Sequence, residues 1–282
     1  MLSIYTSPFR TLIRQSGAIN VIKFFANVRM RQRFADYNQH RPKEIRINSG
    51  TVAAHMLVAN KIEYARCLSF KEDQEIIQAI LKRLKTGSIY WDIGASIGIY
   101  TVLTAKKVGA RGAVHAFEPE QRSHQRLCEN IQHNELTNVT VHNLALGRTT
   151  NTMTLSVTDV ASAGTHSLMT GSLQTPHQVA EQQTVRVLPG DKLRTDTDLP
   201  VPNVVKVDVE GAEEDVLLGL RETLLHPDCH TVMCEVHFAI LNSCGKAGAP
   251  KRIEKYLREC GFQRQKWLDR SHLIVYKELQ ND

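Results

Sequence analysis

Asp92 and Glu118 are the first residues from which chemistry can be read. In Tyr90-Trp91-Asp92-Ile93-Gly94-Ala95-Ser96-Ile97-Gly98-Ile99-Tyr100 an apolar strand ends at Asp92, a small-residue turn follows, and a helix begins near Gly98. Gly94 lets the backbone approach a ligand closely, and Gly98 lets the helix sit tight on the strand. The helix N-terminus offers free N–H groups to a negative group. The turn departs from the dinucleotide pattern GxGxxG, because its glycines are four apart and a carboxylate stands two residues before the first. An acid there repels a pyrophosphate. It suits a cofactor with an ammonium or sulfonium group and no phosphate, a description that S-adenosylmethionine fits.

Glu118 closes a second apolar run, Val114-His115-Ala116-Phe117-Glu118-Pro119, 26 residues after Asp92. An acid in this place can accept both hydroxyls of a ribose, as in dinucleotide folds. A third run, Asn138–Gly147, ends in a loop where Asn143, Leu144, Ala145 and Leu146 can meet an adenine edge, although an ordinary strand and loop reads equally well. In the fourth, Val204–Glu213, Asp208 ends the strand and faces the reactive end of a cofactor, with Glu210 on the same rim. Glu213 and Glu214 read as the acidic start of the next helix, where the dipole favours them. The fifth, Cys234-Glu235-Val236-His237, sets Glu235 and His237 two apart on one face. His237 can be a general base or a ligand, or a histidine with a structural role. Arg270 and His272 read as turn and strand residues of a closing hairpin.

These motifs need an α/β scaffold. Residues 73–85 form a helix with Ile76, Ile77, Ile80, Leu81 and Leu84 on one side, Asp73 as N-cap and Gly87 as its end. Buried-strand runs follow at Ile89–Ile93, Ala113–Phe117, Val139–Val141, Val204–Val207 and Thr231–Val236, separated by helices. This alternation indicates a parallel sheet covered on both faces. After a helix at Pro250–Cys260, stopped by Gly261, two last strands at Phe262–Trp267 and His272–Tyr276 are joined by about four residues. So short a link makes a hairpin, and one of the pair must run antiparallel to the rest.

The rim residues 92, 118 and 143 are evenly spaced, but the next comes at 208. About 40 residues are therefore inserted, with extra strands at Thr152–Val157 and Thr184–Leu188. Between them lies Thr158–Ala180, rich in Ser, Thr and Gly and carrying His166 and His177. An insertion on this rim is placed to form an acceptor pocket or a lid.

Charge is unevenly placed. The chain has 35 Lys+Arg against 29 Asp+Glu, and the excess of +6 sits in residues 1–35 as Arg10, Arg14, Lys23, Arg29, Arg31 and Arg33, with no acid among them. The body is balanced, so nucleic acid is not an expected partner. Leu12, Ile13, Ile19 and Ile22 in that segment follow helical spacing. Three readings stand for it: a helix docked on the domain, a helix at an anionic membrane surface, and a transit peptide. No apolar run approaches the roughly 18 residues of a spanning helix. Six cysteines without a CxxC pair point to reduced thiols and a cytoplasmic setting, with peripheral membrane contact through residues 1–35 kept open.

Taken in order, DIGASIGIYT, HAFEP, NVTVHNLALG, VVKVDVEGAEEDVLLG, CEVH and the closing GF…HLIVYK resemble the FkbM family of S-adenosylmethionine-dependent methyltransferases, from about residue 63 to 277. The DVEGAE block beside DIGAxxG is the most specific part. Ser96 stands where the family usually carries Asn, and it can still donate and accept a hydrogen bond. The resemblance implies a Rossmann-like class I methyltransferase fold: a mostly parallel seven-stranded sheet with a C-terminal antiparallel hairpin and helices on both faces. Together with the charge pattern this gives a basic helical extension at 1–45, outside the resemblance, and a methyltransferase domain at 46–282, with 151–200 as an inserted substrate or lid region.

The resemblance also implies a cofactor site. The loop Asp92–Gly98, with Gly94, Ala95 and Ser96, holds the methionine part; Glu118, beside Pro119, binds the ribose; Asp208 lies near the methyl-bearing end. The implied reaction is O-methylation of a sugar, lipid or secondary metabolite, by in-line displacement between aligned reactants. Glu210 or His237 can take the acceptor proton. Alternatively Asp208, Glu210, Glu235 and His237 can hold Mg²⁺ and lower the acceptor pKa; the metal-free route is favoured. A non-catalytic cofactor-binding or scaffold module of the same fold, and a nicotinamide oxidoreductase, remain as other readings.

Overall fold

The computed structural model describes residues 42–70, 73–158 and 179–278. The expectations placed on residues 1–35, and most of the Ser/Thr/Gly-rich stretch with His166 and His177, lie outside them. The described chain opens with an antiparallel hairpin of β1 (Lys43–Ser49) and β2 (Val52–Val58), turned at Gly50. Helix α1 (Lys61–Ser69) follows, capped by Asn60, whose side chain accepts from the amides of Ile62 and Glu63. Helix α2 (Gln74–Leu81) is shorter than its apolar stripe predicts. Asp73 occupies the N-cap position but makes no side-chain cap bond.

Then the sheet and its helices alternate. They are β3 (Ile89–Ile93), α3 (Ile99–Val108), β4 (Ala113–Phe117), α4 (Gln121–His133), β5 (Val139–His142), the short β6 (Ala145–Leu146), β7 (Asn151–Thr158) and β8 (Val179–Leu188). Next come α5 (Gly190–Thr197), β9 (Val204–Val207), α6 (Glu213–Leu218), α7 (Arg221–Leu225), β10 (Thr231–Glu235), α8 (Phe238–Ser243), α9 (Ala249–Glu259), β11 (Arg264–Trp267) and β12 (His272–Tyr276).

Seven strands pair in the order β11-β12-β10-β9-β3-β4-β5. The pairs from β10 through β5 are parallel, while β12 runs antiparallel to both β10 and β11. The protein thus has the expected mostly parallel sheet closed by a hairpin. β9 is the neighbour of β3, which brings the rims of Asp92 and Asp208 together.

Alternation along the strands separates two cores. Trp91, Ile93, Val205 and Val207 point to one face and pack with Val216, Leu220, Leu224, Ile253 and Leu257 of α6 to α9. Tyr90, Val204, Met233 and Ile274 point to the other and meet Ile76 and Ile80 of α2 and Val108 of α3. Each fully buried large side chain contributes about 1.5–3 kcal/mol. The β1–β2 hairpin adds a further layer, with Ala54, Met56 and Val58 against α1 and α3. Asn130 and Asn134 of α4 tie its backbone down through Leu57 N (2.6 Å) and His55 N (3.0 Å).

Within the insertion β6, β8 and β7 form a separate three-stranded sheet. Its extra strands are longer than the sequence pattern suggests, because their ladder continues past the apolar positions. No helix among the described residues is long and apolar enough to cross a membrane.

Candidate active site

The β3–α3 loop is forced into its shape by what crosses behind it. Gly94 has φ +79, and a Cβ there would lie 1.8 Å from the carbonyl oxygen of Asp208. The next departure is Ser96 at φ +51, a left-handed conformation that L side chains rarely adopt. Gly98 (φ +91) opens α3, and a Cβ there would meet Leu127 Cδ1 at 2.5 Å. After β9 the chain repeats the device with Glu210 at φ +48 and Gly211 at φ +98. Two strained turns on adjacent strands thus face one cavity, the arrangement that a ligand-holding rim requires.

Gly94, Ser96, Glu118, Pro119, Ala145, Asp208 and Glu210 line that cavity. Four residues expected beside them do not. Ala95 is buried behind the loop and Gly98 serves the helix start. Asn143 is exposed, and its amide donates to the carbonyls of Glu118 (3.0 Å) and Pro119 (3.3 Å), so it braces the neighbouring loop.

Asp92 is the main correction. It is fully buried and turned toward the α3 face, where Oδ2 accepts from Thr101 Oγ1 at 2.6 Å and Oδ1 lies 3.4 Å from Lys206 Nζ. The register explains this, for Asp92 and Lys206 stand opposite each other on β3 and β9. Leu144 and Leu146 line the cavity as expected, while two apolar walls and one cation were not foreseen: Phe117, Leu155 of β7, and Arg66 of α1. Arg66 Nη1 donates to Ser96 Oγ. Its helix carried no motif, so nothing in the sequence announced it.

Glu118 is 6% exposed; Oε2 accepts from Ser96 N (2.7 Å) and Oε1 from Glu120 N (2.9 Å). Burial pushes its carboxyl up to about 7 against these bonds. At the other end burial, and then the charge of Asp208, push Glu210 up to about 8. Its Oε2 has no hydrogen-bond partner among the described residues. Asp208 is held below the usual carboxylate range: burial opposes this, but the Lys206 ammonium, 3.2 Å away, and His237 outweigh it.

His237 stands behind Asp208, off the cavity wall. Nδ1 contacts Glu213 Oε1 at 2.6 Å, and Nε2 lies 3.8 Å from both Asp208 Oδ1 and Glu235 Oε1. Burial disfavours its charge, yet Glu213 and then Asp208 hold it up at about 9. Held protonated at neutral pH, His237 has to give up its proton before it can act as the expected general base. Glu213 does start α6 as expected, but it is also fully buried beneath His237 and accepts from Gly211 N at 2.8 Å. The hairpin residue His272 joins the cluster, 3.3 Å from Glu235 Oε2 and 2.8 Å from Asp269 Oδ2. Of the four expected cation ligands, Asp208, Glu235 and His237 bring donor atoms within 4.8 Å of one another, and Glu210 stands apart.

A family profile described as Methyltransferase FkbM domain matches residues 92–264. The chain belongs to the FkbM methyltransferase family. It is an S-adenosylmethionine-dependent methyltransferase. A curated relative of this methyltransferase is the hexuronic acid methyltransferase AglP of Haloferax volcanii, 28% identical over 232 residues, covering 82% of this chain and 87% of that one. Methyltransferase 1 of Beauveria bassiana is 30% identical over 146 residues, 46% of this chain and 57% of that one. Among solved structures, the methyltransferase FkbM of Methylobacillus flagellatus superposes with a TM-score of 0.46 at 18% identity, covering 67% of this chain and 43% of that one.

Proposed function

We propose that this methyltransferase methylates a hydroxyl oxygen of a sugar acid. The observation that carries the reading is the cavity with a carboxyl group at each end, Glu118 just after β4 and Glu210 beyond β9. The acceptor class comes from the relative that acts on a hexuronic acid and is matched over most of its length.

The residues fit S-adenosylmethionine. Gly94 leaves backbone space, Phe117, Leu144 and Leu155 offer apolar walls for an adenine, and Asp208 supplies negative charge at the far end. Glu118 would accept the ribose hydroxyls. When bound, the cofactor supplies an electrophilic sulfonium methyl group and leaves as a neutral thioether. Glu210 takes the proton of the acceptor hydroxyl at its unpartnered Oε2 when ionised; with its carboxyl raised to about 8, that form grows as pH rises above neutral. Lys206 and the protonated His237 fix Asp208. The reading needs no divalent cation, since these two cations already face the acids of the rim.

The test is calorimetric binding of S-adenosylhomocysteine, followed by transfer of labelled methyl from S-adenosylmethionine to glucuronic acid with mass identification of the product. Binding, and a singly methylated ether that survives EDTA, are expected. Absence of S-adenosylhomocysteine binding overturns the cofactor site, and methylation of the carboxylate, giving an ester in place of an ether, overturns the hydroxyl acceptor.

A further inference from the structure

A second cavity, of about 330 Å³, adjoins the first. The two share Leu146, and the Glu210–Gly211 peptide puts Glu210 on one wall and Gly211 on the other. The second cavity lies between the β6–β8–β7 sheet and the start of α6, walled on its apolar side by Leu146, Met153 and Val187. Its size falls within the range of small-ligand sites.

The acids of the neighbouring rim already face Lys206 and His237. Asp208, Glu210 and Glu235 gather on the rim, whereas Arg148 and Lys246 line this cleft. Lys246 Nζ lies 3.1 Å from Asp215 Oδ2, so that pair is internally balanced. Arg148 is exposed and makes no ion pair among the described residues, which leaves the cleft with one net positive charge. An anionic ligand meets here a cation that no acid of the described residues balances. A guanidinium presents a planar fork that matches a carboxylate. The apolar wall suits the C–H face of a pyranose.

We propose that this cleft is the acceptor subsite and that it takes a pyranose bearing a carboxylate, held by Arg148 with Lys246 beside it and reaching Glu210 past Leu146 and Gly211. The proposal rests on the reading of a sugar-acid methyltransferase and adds to it a location and an anchoring residue. The cation is placed away from the acids that serve the reacting end, so one ligand can satisfy both ends at once.

The test uses the full chain saturated with S-adenosylhomocysteine and titrated with glucuronate, glucose and glucose 6-phosphate, for wild type, Arg148→Glu, Arg148→Lys and Lys246→Ala. The expected result is glucuronate binding about tenfold or more tighter than glucose, lost in Arg148→Glu and partly kept in Arg148→Lys. S-adenosylhomocysteine affinity, measured on each variant, reports an intact fold. Equal binding of glucose and glucuronate, glucuronate binding undiminished in Arg148→Glu, or no sugar binding to the loaded wild type overturns the subsite. Preference for glucose 6-phosphate overturns the carboxylate assignment. Failure of the wild type to bind S-adenosylhomocysteine instead overturns the methyltransferase site itself.

Discussion

Nδ1 of His237 lies 2.6 Å from Oε1 of Glu213, a carboxylate with no exposed surface. The contact holds His237 charged up to about 9. It also makes stability depend on pH. The folded protein binds this proton more tightly than the unfolded chain. The stabilisation is therefore complete below about 6.5, the unfolded value, and is lost as pH rises through about 9. Its scale is about 3 kcal/mol. Glu213→Gln should lower stability by that order near pH 6 and flatten the decline between pH 6.5 and 9. Chemical denaturation of both proteins across this range checks it; parallel curves would refute the linkage.

Glu118 gives a pH signature to cofactor binding. Its carboxyl titrates near 7, and only the ionised form accepts from two ribose hydroxyls. S-adenosylhomocysteine affinity should weaken as pH falls from 8 to 6, and Glu118→Gln should bind about tenfold less tightly at pH 8 while losing this dependence. Calorimetry at the two pH values is the measurement. A variant that keeps the wild-type pH dependence would show that another group is responsible.

Gly94→Ala should be among the most damaging single-atom changes in the chain. The added Cβ would lie 1.8 Å from a backbone carbonyl of the adjacent strand end, and φ +79 is unfavourable for any L side chain. Neither obstacle can be relieved by a rotamer change. A loss of more than about 3 kcal/mol is expected. Gly98→Ala, whose Cβ meets only the tip of Leu127, should cost less. Urea denaturation of both variants checks the order, and an equal or reversed ranking would contradict the reading.

Much of this was legible because strand spacing is a strong signal. The apolar runs of β3, β4, β9 and β10 fixed the rim, and the link of about four residues before β12 required its antiparallel direction. The rim residues Glu118, Asp208 and Glu210 follow from their places at strand ends. What misled was direction. Asp92 sits at a strand end too, but its side chain falls on the α3 face opposite Lys206, a pairing visible only once β3 and β9 are known to be neighbours in that register. Glu213 read as a helix-dipole acid because burial under His237 depends on a contact 24 residues away. Arg66 and the β1–β2 hairpin carry no pattern tied to the motifs, so tertiary packing alone assigns them. The charge states of His237 and Glu210 likewise arise from neighbours on other strands.

The buried trio of Asp92, Lys206 and Asp208 supplies the last prediction. Lys206 is 5% exposed, and its Nζ is 3.4 Å from Asp92 Oδ1 and 3.2 Å from Asp208 Oδ2. Burial pulls its pKa down, but the charges of Asp208 and Asp92 more than offset this and hold the ammonium protonated. Lys206→Met removes the charge and strands Asp92 in a site without water, which costs about 3–5 kcal/mol. Asp92→Asn alone leaves the ammonium with one acid and should cost less. In the double variant no uncompensated charge remains on the α3 face, so its stability should exceed that of Lys206→Met, with a coupling of about 0.5–3 kcal/mol. Asp92 does not line the cavity, so Asp92→Asn should change S-adenosylhomocysteine affinity far less than Glu118→Gln does. A double-mutant cycle in urea together with calorimetry tests both parts. Additive stabilities would mean that Asp92 and Lys206 do not interact, and a cofactor loss in Asp92→Asn equal to that in Glu118→Gln would return Asp92 to direct contact with the ligand.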